Sequence, residues 1–153
     1  MRPSADDLRR VLPGTWRILA TTFPLWLNGK RLQPTITYTL LPGDRLALRD
    51  EVDYRTRGGA RRRVIGIDHY DPGTGWFTWR GHGLLIPLSS RWRVDNLISD
   101  GRFAVLTFGR SLITPAGIDI LGRGSEAHPG AQDRLSPDVL GLTIGQFSAL
   151  TWL

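Results

Sequence analysis

The 153-residue sequence contains no cysteine, a single lysine and a single methionine, and it has no long hydrophobic run. Without cysteine the chain cannot form a disulfide, a thiolate metal site or a thiol nucleophile, and a reducing compartment suits it best. No apolar run approaches the roughly 18 residues of a membrane span. The opening MRPSADDLRR also lacks the apolar core of a secretory signal. We therefore expect a soluble cytoplasmic protein without a membrane partner.

Acidic residues are the scarcer charge, and the net charge is +6, with nineteen of the twenty basic residues being arginine. Arginine in place of lysine can reflect genomic base composition, so this charge alone names no partner. The run RTRGGARRR at 55–63 is the patch that would suggest nucleic acid. A hairpin tip explains it more plainly, because arginines there resist edge pairing and acids at 50, 51 and 53 adjoin it. We expect no nucleic-acid partner.

The sequence is rich in glycine, proline and tryptophan, with 18, 10 and 6 of these residues respectively. It also contains several short segments in which apolar and polar residues alternate. Such alternation of apolar and polar residues is typical of strands with one buried face. The turn signals RGGA at 57–60 and DPGTG at 71–75 predict hairpins between them. Eight strands are predicted, over residues 15–23, 33–40, 45–55, 61–70, 76–81, 89–97, 102–109 and 117–124.

Eight successive antiparallel strands leave two sheet edges unless they close, so we predict an all-β, up-and-down barrel. After the last strand, Ser136 is a suitable N-cap and Pro137 fits a first helical position, which predicts a short C-terminal helix. The length suits one domain over residues 1–153. A barrel of this size can hold one small ligand.

The first strand begins with GTW at residues 14–16, a glycine two positions before a tryptophan. With eight strands and a following helix, this resembles the lipocalin and calycin superfamily of small-ligand-binding barrels. The resemblance implies that Gly14 and Trp16 form the closed base of the barrel, and that Arg123, in ILGRG, packs across it. The TDY-like second motif of that family has no match here. Fatty-acid-binding and nitrobindin-like barrels remain alternatives.

Asp50 is the most informative single position for chemistry. Strand periodicity places it on the same face as Leu46, Leu48, Val52 and Tyr54, which predicts that it points inward. A buried carboxylate is costly unless it is paired or hydrogen-bonded. Asp50 is therefore a candidate general base or anchor for a polar group of a ligand. The alternatives are an internal partner for an arginine, or a bulge that turns it outward.

Two histidines are further candidates. His69 ends the strand at 61–70, where periodicity does not decide which face is inside, and an imidazole there could move a proton. His82 lies between glycines in GWFTWRGHGLLIP at 75–87, which predicts a mobile loop at the mouth of the barrel. Tryptophans around it would supply aromatic walls for a small molecule, or would simply fill a core.

We expect no metal and no cofactor. The three histidines lie in different segments without ligand spacing, and no carboxylate motif accompanies them. A single-histidine haem site, as in nitrobindin-like barrels, stays open with His82 or His128 as its ligand. There is no GxSxG, no P-loop and no GxGxxG after a strand, so nucleotide chemistry is not expected.

The leading hypothesis is a barrel that binds a small, largely apolar ligand in its interior. The predicted ligand-binding residues are Tyr38, Asp50, Tyr54, Trp79, His82 and Trp92. The alternative is a cofactor-independent cyclase or isomerase, in which Asp50 or His69 moves a proton while a tyrosine stabilises developing charge. A third possibility is a packed barrel without a cavity that acts through its surface. The oligomeric state stays open.

Overall fold

The computed structural model describes residues 2–85, 88–112, 115–127 and 129–153. In chain order, the helices and strands of these ranges are α1 (Ala5–Val11), β1 (Gly14–Thr21), α2 (Pro24–Leu27), β2 (Arg31–Leu40), β3 (Ala47–Thr56), β4 (Arg61–Asp71), β5 (Trp76–Gly81), β6 (Ser89–Ile98), β7 (Phe103–Phe108), β8 (Gly117–Gly122), α3 (Pro137–Leu140), α4 (Ile144–Ser148) and β9 (Thr151–Trp152). No helix in these ranges has the length and apolar character needed to cross a bilayer.

Strands β1 to β8 form a closed antiparallel barrel in which each strand pairs with the next. Strand β1 closes it, because residues 14–17 pair with β2 and residues 17–21 pair with β8. A register shift between Ile18 and Ala20 marks an irregularity in β1. Beyond it, β1 no longer pairs with β2, and Ala20 and Thr21 pair instead with the short strand β9. The predicted eight-stranded up-and-down barrel is thus confirmed.

Four helices and strands were not predicted: α1, α2, α4 and β9. Helix α1 begins with a capping box, in which Ser4 Oγ accepts from the backbone N–H of Asp7 and the Asp7 carboxylate accepts from the backbone N–H of Ser4. Leu8 on this helix and Leu12 just after it are buried, which is the i, i+4 spacing of an amphipathic turn. The cap and the spacing were both legible in the sequence.

The barrel has two hydrophobic cores. The interior core gathers the inward side chains of the strands with Leu8 and Leu12 from the N-terminal segment. The second core lies outside the barrel wall, where Val105 of β7 and Ile120 of β8 pack with Leu140 and Leu150 of the C-terminal segment. Both faces of β7 and β8 are therefore buried, in contrast to the half-exposed strands β3 and β4. The predicted helix after the last strand is α3, and α4 follows it.

Candidate functional site: an aromatic cavity with buried carboxyls

One end of the barrel is closed by Trp16, whose side chain is fully buried. Its indole Nε1 donates to the Leu12 carbonyl at 2.9 Å. The Arg123 guanidinium lies 4.4 Å from the centre of the indole ring and donates to the carbonyls of Val11 and Pro13 at 2.7 and 3.3 Å. This is the arrangement that the resemblance implies for Trp16 and Arg123, and every polar group named here has a partner.

Gly14 precedes this tryptophan with φ of +122°, a backbone conformation that residues with a Cβ rarely adopt. A Cβ built there would come no nearer than 3.8 Å to the Arg123 guanidinium. The glycine is therefore required by the backbone conformation of the entering chain rather than by a lack of space.

The other half of the barrel holds a cavity of about 390 Å³, within the range of small-molecule sites. Helix α2 lies at its mouth and contributes Leu25 and Trp26, while Leu85 and Leu88 come from the connection after β5. The lining is mostly apolar and aromatic, and its polar members are Arg31, Tyr38, Asp50, Tyr54, Ser90 and Asp119. A barrel packed solid, which the sequence left open, is excluded by this cavity.

Aromatic rings form the wall between the closed end and the cavity. The Trp92 ring is stacked between Phe77, at 4.3 Å between centroids, and Tyr38, at 5.4 Å. Trp79 covers the inner face of Gly66, where a Cβ would lie only 2.1 Å from the indole Nε1. Gly66 thus leaves room for Trp79 to lie flat against the strand, which explains a glycine in the middle of β4.

Two carboxyl groups, Asp50 of β3 and Asp68 of β4, lie side by side in the interior. Asp50 pairs with Gly66 in the register of these strands, so Asp68 is its diagonal neighbour. Trp92 Nε1 donates to Asp68 Oδ1 at 2.8 Å. In the described part of the chain no donor reaches Asp50 Oδ1 or Asp68 Oδ2. A proton held between the two carboxyls is the simplest way to satisfy these oxygens.

Burial disfavours the ionised form of both carboxyls. It raises the pKa of Asp50 to about 7, and a hydrogen bond with Asp68 acts weakly in the opposite direction. Burial, with the charge of Asp50 beside it, also raises the pKa of Asp68 well above its ordinary value. Two carboxyls this close titrate as one system, and we infer that the pair retains a proton at neutral pH.

Asp119 of β8 is a third buried carboxyl and lines the same cavity. Thr21 Oγ1 donates to its Oδ1 at 2.6 Å, and that hydroxyl accepts from the backbone N–H of Phe23 at 2.9 Å. Burial raises the pKa of Asp119 to about 7, although the Thr21 hydrogen bond favours the ionised form. Burial together with the charges of Asp50, Asp68 and Asp119 raises the pKa of Tyr38 well above its ordinary value.

The structure brings most of the predicted ligand-binding residues to one cavity. Those that line it are Tyr38, Asp50, Tyr54, Trp79 and Trp92. The inward position of Asp50 follows from strand periodicity as predicted, and neither a bulge nor an arginine partner turns it away. Trp76, in contrast, is on the outer face, where Arg93 and Arg91 lie 4.6 and 5.1 Å from its ring centre.

The histidines are placed differently from the expectation of a cavity role. His69 is exposed on the outer face of β4, because Asp68 and Tyr70 occupy the inner face. His82 lies at the mouth end of the barrel but is exposed and does not line the cavity. His128 lies outside the described residues. Among the residues that are described, no three His, Asp or Glu side chains are grouped as a metal site would need.

Sequence reasoning missed Asp68, Asp119 and the mouth residues Trp26 and Arg31. The sequence did not show whether Asp68 points inward. Ile65 and Ile67 lie on the opposite face of β4, and that face is apolar enough to be the inner one. Asp119 sits in GIDILG, where both faces are buried, and alternation carries no signal in such a strand. The carboxyl itself was the available signal, since an acid within an apolar run has to be explained.

No family model matches the chain, and no curated protein matches it in sequence. Solved structures match it in shape. The siderocalin Ex-FABP, described as acting through dual ligand specificities, is 16% identical over 80% of each chain, with a TM-score of 0.57. Lobster apocrustacyanin A1 is 10% identical over 94% of this chain and 77% of its own, with a TM-score of 0.61. Japanin from Rhipicephalus appendiculatus, solved with cholesterol, is 8% identical over 78% and 80%, with a TM-score of 0.56.

Proposed function

We propose that this chain, which has the lipocalin-like calycin fold, binds a small, largely apolar ligand in its central cavity. The observation that carries the proposal is the cavity itself, about 390 Å³ in volume, stoppered at one end by Trp16 and lined by aromatic rings toward the other. Two of the similar structures, the siderocalin with dual ligand specificities and japanin with cholesterol bound, support the same use of the fold. A cytoplasmic location remains a prediction.

Burial of an apolar skeleton among Trp79, Trp92 and Tyr54 would supply the affinity, since apolar area removed from water contributes roughly 25 cal/mol per Å². The few polar groups on the lining would set the orientation of the ligand. Helix α2 and Leu85 at the mouth would cover whatever enters. The ligand is thus selected by shape and aromatic contact first, and by its polar group second.

The test is titration of the purified protein with the neutral fluorescent probe N-phenyl-1-naphthylamine, followed by the fluorescence of the probe. We expect saturable binding at one site per chain. Trp79→Ala should weaken the affinity about tenfold or more, because a large aromatic contact is lost. Trp76→Ala is the matched control, since that ring lies outside the barrel and its loss should leave the affinity unchanged. Absence of binding, or equal effects of the two variants, would contradict a ligand site in the cavity.

A second candidate function is a cofactor-independent cyclase or isomerase that uses the same cavity, and the Asp50 and Asp68 pair is the observation that favours it. Two buried carboxyls that share a proton can both accept a proton from a substrate and donate one to it. Their raised pKa values keep this exchange available near neutral pH. Tyr38, which pairs with Asp50 in the register, could stabilise developing negative charge.

Binding and catalysis are separated by following the fate of a ligand that co-purifies with the protein. The ligand is identified by native mass spectrometry, then incubated with parent protein and with Asp50→Asn while its structure is followed by NMR. NMR is needed because isomerisation and cyclisation leave the mass unchanged. Retained affinity with lost conversion in Asp50→Asn would establish catalysis, and an unchanged ligand in the parent sample would leave binding as the function.

A further inference from the structure

Resting on the proposed function, we propose that the cavity selects ligands that carry a positively charged amine on an otherwise apolar skeleton, and that this amine binds at Asp50. The inference concerns the ligand class, and it follows from the charges that the interior contains and the partners that those charges lack.

The cavity surface carries two carboxyls that have no cationic partner among the residues that the structure describes. Asp50 lines the cavity, is only 6% exposed, and its Oδ1 receives no hydrogen bond from any residue that the structure describes. Asp119 lines the cavity from β8, and its partner is the neutral Thr21 hydroxyl. Buried carboxylates are expensive unless they are paired, and an ammonium group is the ligand group that pairs with them best.

The described polar groups that surround Asp50 in the interior come from β2 and β4, which flank its strand, and from β6 and β8 elsewhere in the barrel, and none is basic. Strand β2 contributes Tyr38, which pairs with Asp50 in the register, and β4 contributes Asp68. Strand β6 contributes Trp92, whose indole N–H is directed to Asp68, and β8 contributes Asp119. Each of these groups is neutral or acidic, so none of the described groups around Asp50 supplies a positive charge to neutralise it.

The cavity lining that the structure describes includes one cation, Arg31, and it belongs to the mouth. Its guanidinium lies 5.6 Å from the centre of the Tyr54 ring, at the first residue of β2. Tyr54 in turn packs edge to face with Trp26 of α2, at 6.0 Å between ring centroids. The interior is therefore polarised, with the cation at its entrance and the carboxyls deeper inside.

The outer face of the same strands shows that this chain does pair acids with arginine where charge only has to be stabilised. Glu51 Oε1 is 2.7 Å from Arg63 Nε, and Asp53 Oδ1 is 3.0 Å from Arg61 Nε. Asp50 directly precedes Glu51 in the sequence but faces the interior, and it has no such partner among the residues that the structure describes. A carboxyl that binds a cation of the ligand has to lack an arginine partner of its own, and Asp50 meets this condition whereas Glu51 and Asp53 do not.

Amine binding should release a proton. Asp68 keeps its own proton, and where Asp50 is protonated as well, an ammonium group placed at Asp50 replaces the Asp50 proton, which leaves for solvent. The carboxyl O–H bond is the one that breaks, its proton passes to water, and the amine stays protonated throughout. Because the pKa of Asp50 is about 7, affinity for the amine should fall below that pH, by at most tenfold per pH unit.

The experiment uses three naphthalene compounds that differ only in their polar group: 1-naphthylmethylamine, 1-naphthylmethanol and 1-naphthoic acid. Isothermal titration calorimetry of the full chain at pH 7.5 should show the amine binding at least about tenfold tighter than the alcohol, with the acid weakest. The advantage of the amine should shrink at pH 5.5. At pH 5.5, where Asp50 is protonated, titrations in buffers of different ionisation enthalpy should reveal proton release with the amine alone.

Asp50→Asn should abolish the preference for the amine while it retains binding of the alcohol. Asp53→Asn is the matched control, because it removes one carboxyl from the outer face of the same strand and should keep the preference. The wild-type comparison of amine with alcohol needs no variant, so it stands even if a substitution impairs folding.

Two kinds of result would overturn the inference. If the amine fails to exceed the alcohol, the buried carboxyls do not select a cation. If the acid binds most tightly and loses that affinity in Arg31→Met, the charged group of the ligand sits at the mouth. In either case binding of N-phenyl-1-naphthylamine would leave the proposed function intact, whereas its absence would count against the proposed function.

Discussion

The two ends of the barrel interior differ in how completely their buried polar groups are hydrogen-bonded. At the closed end, the Trp16 indole N–H and the Arg123 guanidinium donate to backbone carbonyls, and the guanidinium also covers the indole ring. In the interior beside the cavity, one oxygen of each carboxyl, Asp50 Oδ1 and Asp68 Oδ2, has no donor among the described residues. A core built only for stability would not leave buried carboxyls in this state. The closed end therefore contributes stability, and the cavity end carries the cost of function.

The largest effect that would test this division is Trp16→Ala. Truncation of a fully buried aromatic side chain creates a cavity and should lower the free energy of unfolding by about 3 to 5 kcal/mol, measured by urea denaturation. Binding of N-phenyl-1-naphthylamine by the folded fraction should change little. Trp16→Phe, a milder truncation, keeps the comparison possible if the alanine variant is too unstable. Lost affinity with stability unchanged would reverse the roles assigned to the two ends.

The buried carboxyls of the cavity end should make the free energy of unfolding depend on pH. The Asp119→Asn variant measures the part of that dependence that comes from Asp119. The folded pKa of Asp119 is about 7 and its ordinary value is 3.8, so between these values the folded chain keeps a proton that the unfolded chain has lost. Stability from this group is fully present below about pH 4 and is lost as the pH rises toward 7.

Its contribution to that loss is up to about 4 kcal/mol, at about 1.36 kcal/mol per pKa unit. Denaturation at pH 5 and at pH 8 should therefore show a smaller difference for Asp119→Asn than for the parent, since the amide does not titrate. Asp53→Asn, on the outer face and paired with Arg61, should keep the parental difference. Equal pH dependence in the parent and in Asp119→Asn would show that the buried carboxyl does not govern stability.

The smallest effect concerns the chain entering the closed end. Gly14→Ala should cost about 1 to 2 kcal/mol of stability by thermal or urea denaturation, because φ of +122° is strained for alanine. Gly58→Ala is the control, since its φ is not in the positive range and its Cβ would meet only Thr56 Oγ1, at 4.0 Å. If both substitutions have the same effect, the backbone conformation at residue 14 is not the reason for its glycine.

The inner face of a strand could be predicted from the sequence only where its two faces differ clearly in polarity. Strand β3 alternates acids and arginines with apolar residues, so periodicity placed Asp50 inside correctly. Strand β4 offers Ile65 and Ile67 on one face against Val64 and Tyr70 on the other, and only pairing with β5 decided that His69 faces solvent. Helix α1 was overlooked although Ser4 and Asp7 formed a legible capping box.

By itself the sequence determined the eight barrel strands and the hairpin turns between them, because period-two alternation and turn chemistry are local properties, and the resemblance of its GTW motif implied the closed end. Only the tertiary structure decided that Asp68 and Asp119 lie in one interior with Asp50, and that the single arginine among the described lining residues, Arg31, lies at the mouth. Strand closure joins residues that are far apart in the chain, and the resulting burial sets the protonation of those carboxyls. Neither the closure of the barrel nor the burial of these carboxyls can be predicted from any single segment of the sequence.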